Sequence, residues 1–349
     1  MQTYLVRIKP KSSFGTPLHS DTIFGHLCWM YRYLYGEEKL KKDILNTYDT
    51  QPAFIVSNGF PKEHLPRPIL PPLSQNELEA IIKKYFMTKP LKDKNGQPLS
   101  EREKRFYGLS ILKKIKKEHF ILAEDLLEIK DSLCEKAVTE MLLSRRITGQ
   151  GKEIETSFKF KKGAFPHNTI SRLSGTVVKE GGGFYHTQEE AYIGKEDFLE
   201  MDIYIKTEPS LLNKNRLREL FSALSQYGFG RDKSTGKGSF ELVEIKEIKL
   251  PQKGNAVMSL SYFIPGSSLK NGYYELFTKF GRLGGHYAIS EIPFKNPLIL
   301  MTPGSVFKVE EKRQYYGMAI KGIHKKEEIR HQTYLFPYFV TLLEAKDVL

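Results

Sequence analysis

The sequence predicts an α+β protein of two tandem ferredoxin-like (RRM-like, βαββαβ) domains, the first carrying a large helical and β-hairpin insertion. Three observations support this class. Period-two segments at residues 4–9, 199–206 and 240–248 alternate with helical patterns at 20–34 and 213–227. A fresh strand pattern begins at Asn255. Between the opening β-loop-α unit and the strand at 199 lies a stretch that fits neither repeat. The expected domains are 1–250, with the insertion at about 50–198, and 251–349.

In the opening segment Tyr4, Val6 and Ile8 alternate with Leu5, Arg7 and Lys9, and a Gly/Ser/Pro loop follows at 12–17. Ser20 and Asp21 suit a helix start, and Ile23, Leu27, Met30 and Leu34 recur on one face. Pro52, Pro61, Pro66, Pro68, Pro71 and Pro72 argue for an irregular crossing loop over 50–75. Ser74 with Glu77 forms a capping box ahead of Leu78, Ile81, Ile82 and Tyr85, which opens a helical part at 74–145. Residues 145–195 are Gly-rich and basic, a thumb-like part. The strand at 199–206 places Leu199, Met201, Ile203 and Ile205 inward and leaves Glu200, Asp202, Tyr204 and Lys206 for a polar solvent face. A helix from about Asn213 to Tyr227 buries Leu217, Leu220, Phe221 and Leu224 and stops at Gly228. In the tail, Met258, Leu260, Tyr262 and Ile264 share a strand face, and a second small α+β domain is expected.

The chain has 54 Lys and Arg against 41 Asp and Glu, a net +13 that favours nucleic acid, an anionic membrane or an acidic partner. Residues 81–120 hold 12 Lys and Arg against 4 Asp and Glu, so much of the excess is local. A charge run ordinarily faces water, and a phosphate-facing role needs support from elsewhere. Cys28 and Cys134 alone exclude a disulfide framework and a Cys-rich metal site, and fit a reduced compartment. No uncharged apolar run reaches membrane-spanning length and the N-terminus lacks a signal-peptide core, so a soluble cytoplasmic protein is expected.

The segment Tyr227-Gly-Phe-Gly-Arg-Asp-Lys-Ser-Thr-Gly-Lys-Gly-Ser-Phe240 joins a helix to a strand. Its glycines, Gly228, Gly230, Gly236 and Gly238, allow a polyanion close to the backbone, where N–H groups can meet phosphate oxygens. Arg231, Lys233 and Lys237 add charge, and Ser234 and Thr235 can donate to phosphate or sugar. It is not a P-loop. Five residues separate Gly230 from Gly236, Gly238 stands where a magnesium-binding Ser or Thr belongs, and the loop leaves a helix and enters a strand. Gly228-Phe229-Gly230 is similar to the RNP1 strand of an RNA-recognition motif but lacks its aromatic continuation.

This loop resembles the glycine-rich loop of RAMP proteins, the RNA-binding subunits of CRISPR systems. Gly15-Thr-Pro-Leu-His-Ser-Asp-Thr-Ile-Phe-Gly25 and Pro166-His-Asn-Thr-Ile-Ser-Arg-Leu-Ser-Gly175 resemble the first loop and helix and the central segment of the fourth-subunit family of type III-A (Csm) effectors. Gly281-Arg-Leu-Gly-Gly285 and Asn296-Pro-Leu-Ile-Leu-Met-Thr-Pro-Gly304 resemble its C-terminal domain. The resemblance runs the length of the chain and is weakest over 75–145. It implies a subunit that is not an enzyme, needs no cofactor and holds the 5′ repeat-derived tag of crRNA. It further implies that the chain joins a large polymerase/cyclase-like subunit to the backbone RAMP subunits, meets target RNA only through the complex, and uses a thumb-like insertion to kink the RNA.

By the same resemblance Gly228 to Gly238 cradle tag phosphates, while His167, Asn168, Thr169 and Arg172 belong to an RNA-facing insertion. The helix start at His19, Ser20 and Thr22 points amides at the strand. Each has a plainer structural reading: a polar loop residue for His167, an internal hydrogen-bond pair for Asn168 and Arg172. Arg145 and Arg146 add phosphate contacts or solvate a helix end, and Arg282 marks a second close-approach loop or a tight turn. Relatives of this fold include metal-independent endoribonucleases that use a His, which makes a repeat-processing nuclease the alternative. His19, in the loop, is the candidate acid or base, whereas His26 falls near the apolar stripe of its helix and reads as structural. Asp21 reads as a first-turn residue. No His/Cys cluster or close carboxylate pair has metal-ligand spacing, so no metal is expected. A basic scaffold that meets only proteins is a third class.

Overall fold

The computed structural model describes residues 1–92, 95–147, 159–178, 183–194, 197–326 and 328–343. Strand β1 (Gln2–Pro10) leads through the 11–19 loop into α1 (Ser20–Tyr35), which ends at Gly36 where the next short helix, α2 (Glu37–Leu40), begins. Ile23, Leu27 and Met30 face the core as their spacing requires. Leu34 is exposed instead, and Tyr31 takes the remaining buried place with its hydroxyl on Asp43.

Strand β2 (Phe54–Pro61) follows, and β3 (His64–Pro66) after it. This corrects the expectation of an irregular loop over 50–75: the prolines fall before, at the end of and beyond an apolar strand, Phe54-Ile55-Val56. β2 lies at a sheet edge, where terminal prolines remove no needed ladder bond. The insertion proper comes next as α3 (Gln75–Ile82), α4 (Glu101–Ile115), β4 (Phe120–Leu122), α5 (Ala123–Ile129) and α6 (Glu135–Arg146). Capping boxes Ser74/Glu77 and Ser100/Glu103 start α3 and α4. A long hairpin, β5 (Lys159–Asn168) and β6 (Phe184–Ile193), completes it.

Strand β7 (Met201–Thr207), α7 (Lys214–Tyr227) and β8 (Phe240–Glu247) close the first unit, with the Asn213 side chain capping α7 at the amides of Asn215 and Arg216. The sheet order is β2-β7-β1-β8, every neighbour antiparallel, and α1 packs against α7. This is the ferredoxin-like arrangement.

β7 is buried on both faces, so its Asp202, Tyr204 and Lys206 do not face solvent as the alternation predicts. Asp202 lies opposite Arg7 on β1 and accepts from its Nε and Nη2 at 2.7 and 2.9 Å, a buried bidentate pair. Lys206 Nζ reaches the Gln314 carbonyl at 3.1 Å and lies over the Phe336 ring. The C-terminal half therefore covers this face, and the sheet offers no open platform for stacked bases.

The C-terminal half contains β9 (Ala256–Ser259), β10 (Gly272–Tyr273), β11 (Leu276–Lys279), β12 (Leu298–Met301), β13 (Val306–Lys308), β14 (Tyr316–Gly317), β15 (Tyr334–Leu335) and β16 (Pro337–Val340). Its four-stranded sheet runs β10-β13-β9-β16, also antiparallel. Taken in chain order, these strands repeat the order of the first sheet. Among the described residues of this half there is no α-helix, although its sheet keeps the strand order of the expected second ferredoxin-like unit. The β11–β12 hairpin, a 3-10 turn at Gly285–Ile289 and the β14–β15 pair stand in the connections instead. One physical reason lies in the core: Ala256, Met258, Tyr338 and Val340 pack into the same cluster as Val6, Ile203 and Phe54, so that sheet face needs no helices of its own. The other face holds Val257, Phe307 and Phe339 in a separate small core. β9 is shorter than its pattern suggests because Ser259 Oγ accepts from the Ser261 amide and turns the chain. No helix among the described residues is long and apolar enough to cross a membrane.

Candidate nucleic-acid interface

A groove of about 1000 Å³ runs between the start of α1, the loop after α7 and the segment after β11. The glycine loop forms one wall. At Gly228 (φ 84) the helix stops, and Phe229 turns inward, 1% exposed, edge-on to Phe14 and 4.7 Å from the His26 ring. The Gly230 amide donates to His26 Nε2 at 3.0 Å, the Arg231 amide to Thr16 Oγ1 at 3.0 Å and the Gly238 amide to the Ser13 carbonyl at 2.9 Å. The amides of Gly228, Phe229, Thr235, Gly236, Lys237 and Ser239 also donate within the protein. A Cβ on Gly238 would stand 1.9 Å from the Phe229 carbonyl oxygen, so this glycine answers a crossing of the chain with itself. Most of the loop's amides are thus committed internally, and what it turns outward is side chains.

Those side chains differ. Lys233 Nζ sits 3.0 Å from the centre of the Tyr227 ring, and burial lowers its pKa. Ser234 and Thr235 are exposed, with Thr235 Oγ1 on the Asp232 carbonyl, and Arg231 reaches the Gln188 carbonyl at 2.9 Å and Asp232. Lys237 pairs with the buried Glu189 carboxylate of the hairpin at 2.8 Å, so its charge is largely cancelled.

On the opposite wall, sequence reasoning found Arg282 but missed Lys279 and Lys295. Lys279 Nζ on β11 contacts Asp21 Oδ2 at 3.0 Å, Thr22 Oγ1 at 3.2 Å and His19 Nδ1 at 3.3 Å. Lys295 Nζ lies 3.3 Å from His331 Nδ1, and His331 Nε2 lies 3.4 Å from Asp21. Burial alone would raise the Asp21 carboxyl, but His331 and Lys279 pull it down to about 2. Burial lowers Lys295 to about 8, His331 to about 3 and His19 to about 4, the nearby lysines adding to the histidine shifts. Two lysines therefore face one carboxylate and neutral imidazoles beneath the groove. The signal in the sequence is thin: Lys279 and Lys295 flank the Gly281–Gly285 motif, with nothing local to show that the fold brings them onto α1.

The expected site residues separate accordingly. His19 lines the groove, its ring against Tyr262 and Phe277. Ser20 does not reach the surface: its amide donates to Asn58 Oδ1, and its hydroxyl accepts from the Tyr262 amide. The first helix is thus capped by a remote Asn rather than left open for a ligand. His167, Asn168, Thr169 and Arg172 lie on the β5–β6 arm or its tip, away from the groove wall. His167 Nε2 is 2.8 Å from Thr187 Oγ1, its ring stacks on Tyr185, the Thr169 amide donates to the Gly183 carbonyl, and Arg172 is exposed beside a fully exposed Leu173. Arg145 clamps the buried Asp125 at 2.7 Å and also Glu124, and Arg146 pairs with Glu118 at 2.9 Å. Arg282 lines the groove and donates to the Ala288 carbonyl. Its neighbours Gly284 and Gly285 make room for Trp29 of α1: Cβ atoms there would stand 2.7 Å from Trp29 Nε1 and 2.5 Å from Trp29 Cη2. His26 is half-buried and held by the loop, as its place in the helix suggests. Among the described residues no group of three His, Cys, Asp or Glu is placed to hold a metal ion.

The family model of the RAMP superfamily matches residues 7–241, and the chain belongs to that superfamily. Three solved structures of a Csm1–Csm4 cassette contain a chain of similar fold. The one in complex with AMPPNP matches at TM-score 0.54 and 15% identity over 99% of this chain and 100% of that one. The one with pppApA gives 0.53 and 14% over 99% and 100%, and the one with cA4 gives 0.52 and 13% over 98% and 100%. No curated protein matches the sequence.

Proposed function

We propose that this chain is the non-catalytic crRNA-binding subunit of a type III-A CRISPR (Csm) interference complex in the cytoplasm. The repeat-derived 5′ tag lies in the groove, and the chain joins the large polymerase/cyclase-like subunit to the backbone RAMP subunits, meeting target RNA through the assembly. The observation that carries the reading is the groove itself, with Arg231 and Lys233 on one wall and Lys279, Lys295 and Arg282 on the other. Cations from both halves converge where a phosphodiester strand would pass. Membership of the RAMP superfamily and the fold shared with a chain of Csm1–Csm4 cassettes support the same assignment.

Two features argue against the endoribonuclease alternative. His19, lowered to about 4 by burial and Lys279, is poorly matched to proton transfer near neutral pH. His26 is likewise lowered to about 4 by burial and spends Nε2 on the Gly230 amide. The test is filter binding of the purified chain to labelled crRNA with its tag and to a tag-scrambled RNA, across a salt series in EDTA, with each sample run on a denaturing gel. Tag-preferring, salt-sensitive binding to intact RNA is expected. A discrete cut abolished by His19→Ala, or binding of neither RNA, contradicts the proposal.

A further inference from the structure

The basic window at 81–120 takes no part in the groove. It folds as a small body with its own core, in which Ile81, Phe86, Ile111, Ile115 and Leu143 are buried together. α4 buries Gly108, Ile111, Leu112 and Ile115. At 3.6 residues per turn, Arg102, Phe106 and Lys113 then stand together on the outward side, flanked by Leu109, which packs against that core, and Lys116 and Lys117 extend the exposed row past the helix end. That row holds no carboxylate. Arg102 lies over the Phe106 ring, which is 60% exposed, and Lys113, Lys116 and Lys117 form no ion pair with a carboxylate among the described residues.

Past α4, Lys117 and His119 enter the wall of a second cleft, about 840 Å³, between the insertion, the base of the β5–β6 hairpin and the end of the first sheet. Phe160, 45% exposed, packs at 4.9 Å on Tyr192, which meets Phe120 at 5.8 Å. Lys159 stands beside them. In the same wall Glu118, Asp125 and Glu190 are paired with Arg146, Arg145 and Lys162. Pro17 and His19 line both this cleft and the groove, so the two spaces share a border.

We propose that the outer face of α4 and this cleft form a second binding surface for single-stranded RNA. It takes nucleotides that continue beyond the groove, with phosphates on Lys113, Lys116 and Lys117 and a base on Phe160. The inference rests on the reading of the groove as the tag site. Cations interleaved with exposed aromatic rings suit unpaired bases on a charged backbone. An acidic protein surface would use the lysines but leave the Phe160–Tyr192 stack without a role.

The test uses the full chain and two RNAs substituted with 4-thiouridine, one of tag length and one extended past the tag, with crosslinks mapped by mass spectrometry. The extended RNA is expected to crosslink to Phe160 or to the 113–120 peptide, and the tag-length RNA to the 228–238 loop alone. The triple variant Lys113→Ala/Lys116→Ala/Lys117→Ala should leave tag-length binding unchanged and lower the salt slope for the extended RNA by about 2. Phe160→Ala should remove the crosslink at the cleft. If the wild type binds tag-length RNA, and the triple variant binds extended RNA with the wild-type slope and no crosslink maps to 113–120 or Phe160, the inference is overturned while the tag reading stands. If the wild type binds neither RNA, both fall together.

Discussion

The two halves of this molecule share a strand order and differ in everything that covers it. The first sheet, β2-β7-β1-β8, carries α1 and α7, whereas the second, β10-β13-β9-β16, has no α-helix among its described residues. The difference teaches that a fold can keep its ladder while dispensing with a layer, provided another surface buries the exposed face. Here the first half is that surface, since Met258, Tyr338 and Val340 share its core. The second half therefore depends on the junction, and the junction also builds one wall of the groove.

Breaking the junction should have the largest effect. Asp21→Ala leaves the half-buried Lys279 without its carboxylate, and a loss of about 3 kcal/mol in urea unfolding is expected. The same contact sets the acid limit. Asp21 is lowered from 3.8 to about 2, so its contribution is complete above pH 3.8 and is lost as pH falls through 2. His19 and His331, lowered from 6.5 to about 4 and about 3, stay neutral in the fold and take up protons more readily when unfolded. Stability should therefore fall with pH from 6.5 to 3, and a flat unfolding midpoint across that range would refute the burial of this cluster.

A smaller break comes from Gly285→Val. It puts a β-branched residue at φ 56 against the ring of Trp29, and about 2–3 kcal/mol is expected in the same unfolding assay. A variant as stable as the wild type would mean that Trp29 does not pin the halves together.

How far the sequence reveals this comparison depends on where each signal resides. β1, α1, α7 and β8 are legible because each has one buried face and a clean period. β2 is not, because prolines at its borders disguise an edge strand, and the burial of Lys206 on β7 depends on Phe336 and Gln314, far along the chain. The glycine loop is legible as a place but not as chemistry: its glycines serve its own backbone, and the acceptors of its amides include Ser13, Thr16 and His26. Lys279 and Lys295 gain their meaning only when the C-terminal half meets α1.

The comparison sharpens inside the loop, where two lysines four residues apart do different work. Lys237→Ala strands the buried Glu189 and should cost about 1–2 kcal/mol in thermal or urea unfolding, discounted because the lysine is partly exposed. Lys233→Ala loses a contact with Tyr227 and should change stability by about 0.5 kcal/mol or less. Equal losses for the two would erase the distinction between a lysine that fastens the loop and one that the loop's stability does not need.

Lys233 also supplies the most direct test of the central claim, that RNA lies in the groove between the halves. The salt dependence of tag-RNA binding should be measured for the wild type and for folded Lys233→Ala. A slope shallower by about 0.7, one phosphate contact on a single strand, is predicted. An unchanged slope and affinity would contradict the account.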